Sequence, residues 1–333
     1  MTKRKLFENV IWKLPFSAMI KLKMTRRINI LFNTLSGKRN LNDNVALVNS
    51  NGYYGHEYWM KKYSNWNKPI GGLIEHGVYF GNNTNMVGDK RDYTLKSIIT
   101  FGDYRSKIIK QAFPMHRVVE VGPRIAYSET DASLLQNLIK EANGEKVLTL
   151  FPAHSTANCK CEYDVDYLIS KAKEVMDRKG IAILRVCMKE QDIMNGTADR
   201  FAEKGCAIVT AGSASIQFLP RLRAIIESSS ITMSNSLGTH LGYCIFLGKP
   251  HILIQQDRTV SGDGEEYLRE SDPNNPIEVA YRNEEKRFIE VFCEKDDLGI
   301  SEEQYNLCDY YWGFKYFKQP SELYEVFEQI QVK

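Results

Sequence analysis

The sequence has no run of about 18 consecutive apolar residues, the length a helix needs to cross a bilayer, which excludes a polytopic membrane protein. It also lacks a Gly-x-Gly-x-x-Gly turn and a Gly-x-x-x-x-Gly-Lys loop, so the phosphate cradles of nicotinamide dehydrogenases and P-loop ATPases are missing. There is no internal repeat and no low-complexity linker. Cysteine is sparse, with seven scattered residues, a pattern of reduced thiols rather than a disulfide framework. Cys159 and Cys161 have no second Cys/His pair at zinc-site spacing and read as structural thiols. No Asp-x-Asp pair is expected at a strand end; Asp164-Val165-Asp166 reads as the capped start of a helix. What is present is ordinary for a globular chain: 333 residues, 43% hydrophobic and 26% charged, enough for two domain cores without staples.

Charge is unevenly placed. Residues 1–40 hold ten Lys or Arg against the single acid Glu8, a net +9, while the other 293 residues sum to −6. Phe16, Ile20, Met24, Ile28, Leu31, Phe32 and Leu35 in this segment recur at helical spacing. A basic amphipathic helix fits an anionic membrane surface; the same pattern also fits a helix packed on its own domain with solvated lysines. Lys13, Pro15, Lys21 and Lys23 interrupt the apolar stretch, which argues against a signal peptide and for a cytoplasmic protein, peripheral at the inner face of the membrane. The acidic remainder carries no RNA-binding motif, so nucleic acid is not an expected partner.

From about residue 45, short apolar runs alternate with amphipathic helices, the pattern of an α/β fold with largely parallel sheets. Strands are expected over 45–49, 72–74, 97–101, 118–121, 147–151, 181–186, 207–210, 231–233 and 251–254, and helices over 106–113, 163–178, 220–227 and 237–247. Asn143-Gly144, after a helical stretch, marks the joint between two units, 41–143 and 144–315. Residues 257–290 read as charged and loop-rich with a turn at 271–276, and 320–331 as a final amphipathic helix.

Three constellations bear chemistry. After the strand at 231–233 come Ser234, Asn235, Ser236, Gly238 and Thr239, small residues opening an apolar helix; backbone N–H groups at such a helix start suit a phosphate, and equally an ordinary capped helix. After the strand at 147–151 come His154, Ser155 and Thr156, at the same carboxyl edge where open α/β sheets bind ligands. After the strand at 72–74 comes Glu75-His76-Gly77, an acid and an imidazole placed as a general base could be. Gly212 and Ser213, at another strand end, allow close approach of a base or ribose, while Arg185 and Lys189 could offer a cation to a diphosphate or form structural ion pairs.

In this order the pieces resemble a GT-B glycosyltransferase. Residues 97–123, SIITFGDYRSKIIKQAFPMHRVVEVGP, look like the end of its acceptor domain, 147–254 like its donor domain, and 320–331 like the helix that returns to the first domain. The resemblance implies two Rossmann-like domains facing a cleft, with a return helix over 316–333. Bacterial sialyltransferases and Kdo transferases are similar in carrying an acid-x-Gly motif, a His-Pro motif and a Ser-Ser or Ser-Thr pair. Glu75-His76-Gly77, His154 and Ser234/Ser236 stand in those places, although Ser155 replaces the Pro and Asn235 separates the serines. Teichoic-acid polymerases using CDP-glycerol are similar through His76-Gly77.

The implied activity is glycosyl transfer from a nucleotide-sugar, with a CMP-linked donor favoured, to a cell-surface glycan or lipid-linked acceptor, by direct and inverting displacement. Glu75 or His76 serves as base. His154, Ser155, Thr156, Lys189, Gly212, Ser213, Ser234, Asn235, Ser236 and Thr239 hold the donor. No metal or other cofactor is implied, and residues 1–40 would hold the enzyme at the membrane. Alternatives on the same scaffold are a CDP-glycerol-type polymer transferase, a sugar-nucleotide 2-epimerase, a pyruvyl transferase and a catalytically inactive GT-B subunit.

Overall fold

The computed structural model describes residues 10, 11, 13–15, 24, 49–84, 95–156, 158–212, 214–263, 272, 274–293 and 299–331. The basic segment expected over 1–40 lies almost wholly outside them, as does the strand expected over 45–49 apart from Asn49, which opens a 3-10 turn, Asn49–Gly55.

The first unit begins with helix α1 (His56–Ser64). A parallel sheet follows, β1 (Leu73–Ile74), β2 (Ser97–Thr100) and β3 (Arg117–Glu120), in the order β1-β2-β3, with α2 (Asp103–Ala112) crossing between the last two strands. Every residue of β2 is buried, because helices cover both faces of a parallel sheet and leave no side for water. Seven further strands follow: β4 (Val147–Phe151), β5 (Cys159–Tyr163), β6 (Ile183–Cys187), β7 (Ala207–Val209), β8 (Ile231–Ser234), β9 (His251–Leu253) and β10 (Arg258–Gly262). Five of them form a parallel sheet in the order β7-β6-β4-β8-β9. This is the doubly wound arrangement in which strand order reverses beside the first strand, and ligands settle in the crevice outside the carboxyl ends at that reversal. Here the reversal lies between β4 and β8, so the loop with His154 and the loop from Asn235 to Gly238 flank it.

With α1 and α2, nine further helices make eleven among the described residues: α3 (Ala132–Ala142), α4 (Val165–Lys179), α5 (Glu190–Met194), α6 (Thr197–Glu203), α7 (Phe218–Glu227), α8 (Thr239–Phe246), α9 (Pro276–Phe292), α10 (Glu302–Trp312) and α11 (Pro320–Gln329). Sequence explains their ends. Asp164 accepts the Tyr167 N–H at the start of α4, Asn275 caps α9 with Pro276 at its first position, and Ser301 and Gln304 form a reciprocal capping box on α10. Helix α11 and its capping residue lay Leu323, Phe327 and Ile330 against Ile74, Ile99 and Val121 of the first unit, so the chain returns to where it began.

Some expectations change and others are made specific. Residues 257–290, read as loop, contain β10 and most of α9. The Cys-Lys-Cys pair sits in β5, which pairs antiparallel with β10; alternation of the strand turns both cysteines inward and Lys160 and Glu162 outward. Asp164 directly follows β5, a strand end after all, yet its side chain is spent on the cap and Asp166 pairs with Lys204. Helix α3, read as the end of the first unit, packs on α7 of the second, and its Leu138 carbonyl accepts a bond from Arg185. That bond and one to Ser228 Oγ make Arg185 a buried structural cation rather than a diphosphate contact.

The two units share a continuous apolar core. Val78, Phe80, Phe101 and Tyr104 from the first meet Leu219, Ile225, Leu241 and Tyr243 from the second, with Phe288, Tyr311 and Trp312 of α9 and α10 filling the junction. Helix α10 touches α2 on one side and α8 on the other. It ends at Gly313, whose left-handed backbone (φ 70°) lies so close to Phe101 and Gly102 that a Cβ there would meet the Phe101 carbonyl oxygen at 2.3 Å. Trp312, fully buried, donates from Nε1 to the Thr239 carbonyl at 3.0 Å and covers Gly242. A Cβ at position 242 would lie 2.1 Å from the indole. Gly242→Ala is therefore expected to destabilise the protein by about 1–3 kcal/mol, the usual cost of overpacking a filled core, as read by urea denaturation; an unchanged midpoint would show that the indole is loosely held.

Candidate active site

The loop that leaves β1 is built around one buried guanidinium. Arg105, on α2, donates from Nη2 and Nε to Glu75 Oε1 at 2.6 and 3.1 Å and from Nη1 to the carbonyls of Tyr79 and Asn83 at 2.8 and 2.7 Å. Thr100 Oγ1 donates to the other Glu75 oxygen at 2.5 Å. Glu75 and Arg105 are both sealed from solvent. The expectation that Glu75 acts as base is thereby corrected: both carboxylate oxygens are engaged inside the first unit, and the charge is held by a cation with no route to a substrate. What the pair does is bend residues 76–83 into a fixed turn.

That turn presents His76. Its ring is half-buried among Tyr53, Tyr54 and Tyr79, with centroids 5.5, 5.7 and 5.7 Å away, and Nε2 lies 3.2 Å from the Tyr79 hydroxyl. Burial, with Lys189 adding repulsion, lowers its pKa to about 4, so the imidazole is neutral at physiological pH.

Across the cleft, Lys189 begins α5 at the carboxyl end of β6. Its Nζ donates to the Tyr54 hydroxyl at 3.4 Å. The same ammonium is the largest cause of the lowered pKa of His154, a side chain open to solvent at the carboxyl end of β4. One lysine thus acts on a histidine of each unit. A direct bond also joins the units: the Val78 N–H donates to Thr239 Oγ1 at 3.0 Å, linking the His76 turn to the first residue of α8. Gly55 and Trp59 secure the same seam, the indole donating to the Ile216 carbonyl at 2.6 Å. Tyr54 adopts φ 56°, a conformation that costs a bulky residue about 1–3 kcal/mol, and its ring lies 4.4 Å from Phe218.

The remaining expected donor residues divide. Ser155 is buried: its N–H donates to Asp192, and its hydroxyl accepts from the Cys161 N–H and from Asn195. Ser234 is buried and bonded to His251 and the Ser236 carbonyl. Asn235 is buried, its Oδ1 accepting the Ala153 N–H at 2.7 Å and its amide reaching Gln256. These three shape the loops and are corrected from ligand contacts to supports, because their polar groups are already paired. The Thr239 hydroxyl is likewise taken up by Val78. Thr156 and Ser236 are half-buried beside the crevice. Gly212 is buried with φ 87° and its N–H donates to Thr210 Oγ1, while Ser213 lies outside the described residues.

Several participants escaped the sequence reading. His240, two residues past Gly238, stacks on Phe151 at 5.2 Å, and its Nε2 is buried without a hydrogen-bond partner; burial lowers its pKa to about 4. Tyr54 and Tyr79 carried only a weak signal, the clustering of aromatics beside glycine. Among the described residues no group of His, Cys, Asp and Glu is arranged to hold a metal ion, and no helix is long and apolar enough to cross a membrane.

Two parallel-sheet units and a C-terminal helix that returns to the first of them define the GT-B architecture. No family model matches the chain, and no curated protein matches it in sequence. Among solved structures, a co-structure of MnaA from S. aureus with UDP is similar over 77% of this chain and 67% of that one, at 10% identity and TM-score 0.42. The wall teichoic acid polymerase TagF soaked with CDPG is similar over 80% and 66%, at 13% identity and TM-score 0.40. HepE from Anabaena with UDP and glucose is similar over 71% and 62%, at 11% identity and TM-score 0.33. The chain spans about two thirds of the length of these structures. Likenesses this distant say nothing of the site, which rests on its own geometry.

Removing the Glu75 carboxylate strands a fully buried Arg105. Glu75→Ala is expected to cost about 3–5 kcal/mol of stability, the range for breaking a buried ion pair from one side, as measured by chemical denaturation. Full stability with activity lost would return Glu75 to the role of base.

Proposed function

We propose that the chain is a glycosyltransferase that moves a sugar from a nucleotide-linked donor to a glycan or lipid-linked acceptor, with His76 as the general base. The observation that carries this reading is that Lys189, from the second unit, bonds the Tyr54 hydroxyl at 3.4 Å beside the His76 ring of the first. A neutral imidazole and a cation at the mouth of a parallel-sheet crevice are what a displacement with a phosphate leaving group requires.

In this reading the acceptor hydroxyl lies against His76 Nε2. As its oxygen attacks the anomeric carbon, the proton passes to the imidazole and the bond from that carbon to the donor phosphate oxygen breaks. The departing nucleotide takes the electron pair, and its added charge falls near Lys189 and the first N–H groups of α8, which have no partners within their own helix. His154, open to solvent, and His240, with a free Nε2, offer hydrogen bonds to the donor. Gly212, after the end of β7, is the proposed point of approach for the base or ribose. A CMP-linked donor is the proposed form, carried over from the His154 and Ser234/Ser236 resemblance. Ser234 supports that site from behind rather than touching the phosphate.

His76→Ala is expected to lower kcat by about 10²–10⁴-fold, the usual contribution of a general base, while thermal stabilisation by CMP stays unchanged. Because the neutral ring is the base and its pKa is about 4, kcat/KM should be level near neutrality and fall as pH drops through that value. Lys189→Met removes one cause of the depression, so the acidic limb should move to higher pH. A limb that stays in place, or a His76→Ala variant of full activity, contradicts the assignment.

A further inference from the structure

His76 does not stand in a polar wall. Tyr53, Tyr54 and Tyr79 surround it with ring centroids 5.5–5.7 Å away, all three half-buried. Tyr54 is committed to the second unit through Phe218 and Lys189. Tyr79 lends its hydroxyl to His76 and has the Arg105 guanidinium over its ring at 5.4 Å. Tyr53 is half-buried, and its ring lies beside Tyr54 and His76.

The charges around this cluster are already spent. In the first unit, Arg105 and Arg124 are both fully buried. Arg105 is consumed by Glu75 and two carbonyls. Arg124 donates to the carbonyls of Gly122 and Ile99 and covers the Phe101 ring. Glu57, the acid of α1, is buried and accepts the Ile70 N–H. The remaining cation, Lys189, comes from the opposite unit, where the donor phosphate is placed.

We infer that the group held against His76 is a pyranose ring of an uncharged glycan, with the Tyr53 face as its platform, rather than the phosphate-bearing polyol of an anionic polymer. The inference rests on the proposed role of His76 and names the acceptor class for that site. A pyranose presents one face of C–H bonds and a rim of hydroxyls. The first matches the electron-rich face of a phenol ring, and the second matches a neutral imidazole and tyrosine hydroxyls. A polyol phosphate needs a cation, and the cation bonded to this cluster, Lys189, already holds the Tyr54 hydroxyl and is assigned to the donor phosphate.

The test is saturation-transfer NMR on the full chain with CMP present, using methyl glucopyranoside, methyl galactopyranoside and methyl N-acetylglucosaminide against glycerol 3-phosphate. At least one pyranoside is expected to bind, about tenfold more weakly to Tyr53→Ala and nearly unchanged to Tyr53→Phe, with glycerol 3-phosphate unaffected by either substitution. Circular dichroism confirms that each variant is folded. Absence of pyranoside binding, or binding indifferent to Tyr53→Ala, overturns the inference. The same titration on His76→Ala separates it from the parent reading. Pyranoside binding that needs Tyr53, together with transfer that survives without His76, would leave the platform standing and remove only the base.

Discussion

The guanidinium of Arg105 is the constraint from which the site follows. A buried arginine must find acceptors for its donors, and this one finds the Glu75 carboxylate and the carbonyls of Tyr79 and Asn83. Those bonds curl the chain after β1 so that His76 comes off the sheet edge toward the second unit. They also place Val78 where its N–H meets Thr239. Had Glu75 been free to face solvent, the loop would have had no fixed course and the imidazole no defined position opposite Lys189.

Packing then limits how the halves can move. Linked α/β units often hinge about a polar interface, but here an unbroken apolar core joins them, with Trp312 and Phe288 at its centre. The crevice is therefore largely preformed, and the strained Tyr54 lies at its rim against Phe218. Such strain persists only where neighbours over-determine it. Tyr54 is held by a ring on one side and an ammonium on the other.

Much of this is legible in the sequence itself. The alternation of apolar runs with capped helices marks all five strands of the larger sheet, because parallel strands buried on both faces must be apolar throughout; β4 is buried at every position. The helix start after Ser234 and the histidine loop after β4 were readable for the same reason, since a sheet edge fixes where its loops lie. Position in sequence did not reveal which polar side chains were already spoken for. Glu75 reads as a base until Arg105, thirty residues away, is seen to hold it; Ser155 reads as a phosphate ligand until Asp192 and Asn195 close around it. Helix α9 was obscured by its charge, an exposed face of Glu, Lys and Arg over the buried Tyr281, Phe288 and Phe292. Long-range pairing of this kind leaves no periodicity to find.

The central claim is that Lys189 acts across the cleft on one histidine from each unit, and titration of the His76 and His154 ring carbons by NMR measures it most directly. The account predicts that both titrate well below 6.5, His76 near 4, and that Lys189→Met raises the two together. Ordinary titration of both rings, unmoved by that substitution, would show that the three groups do not share a site.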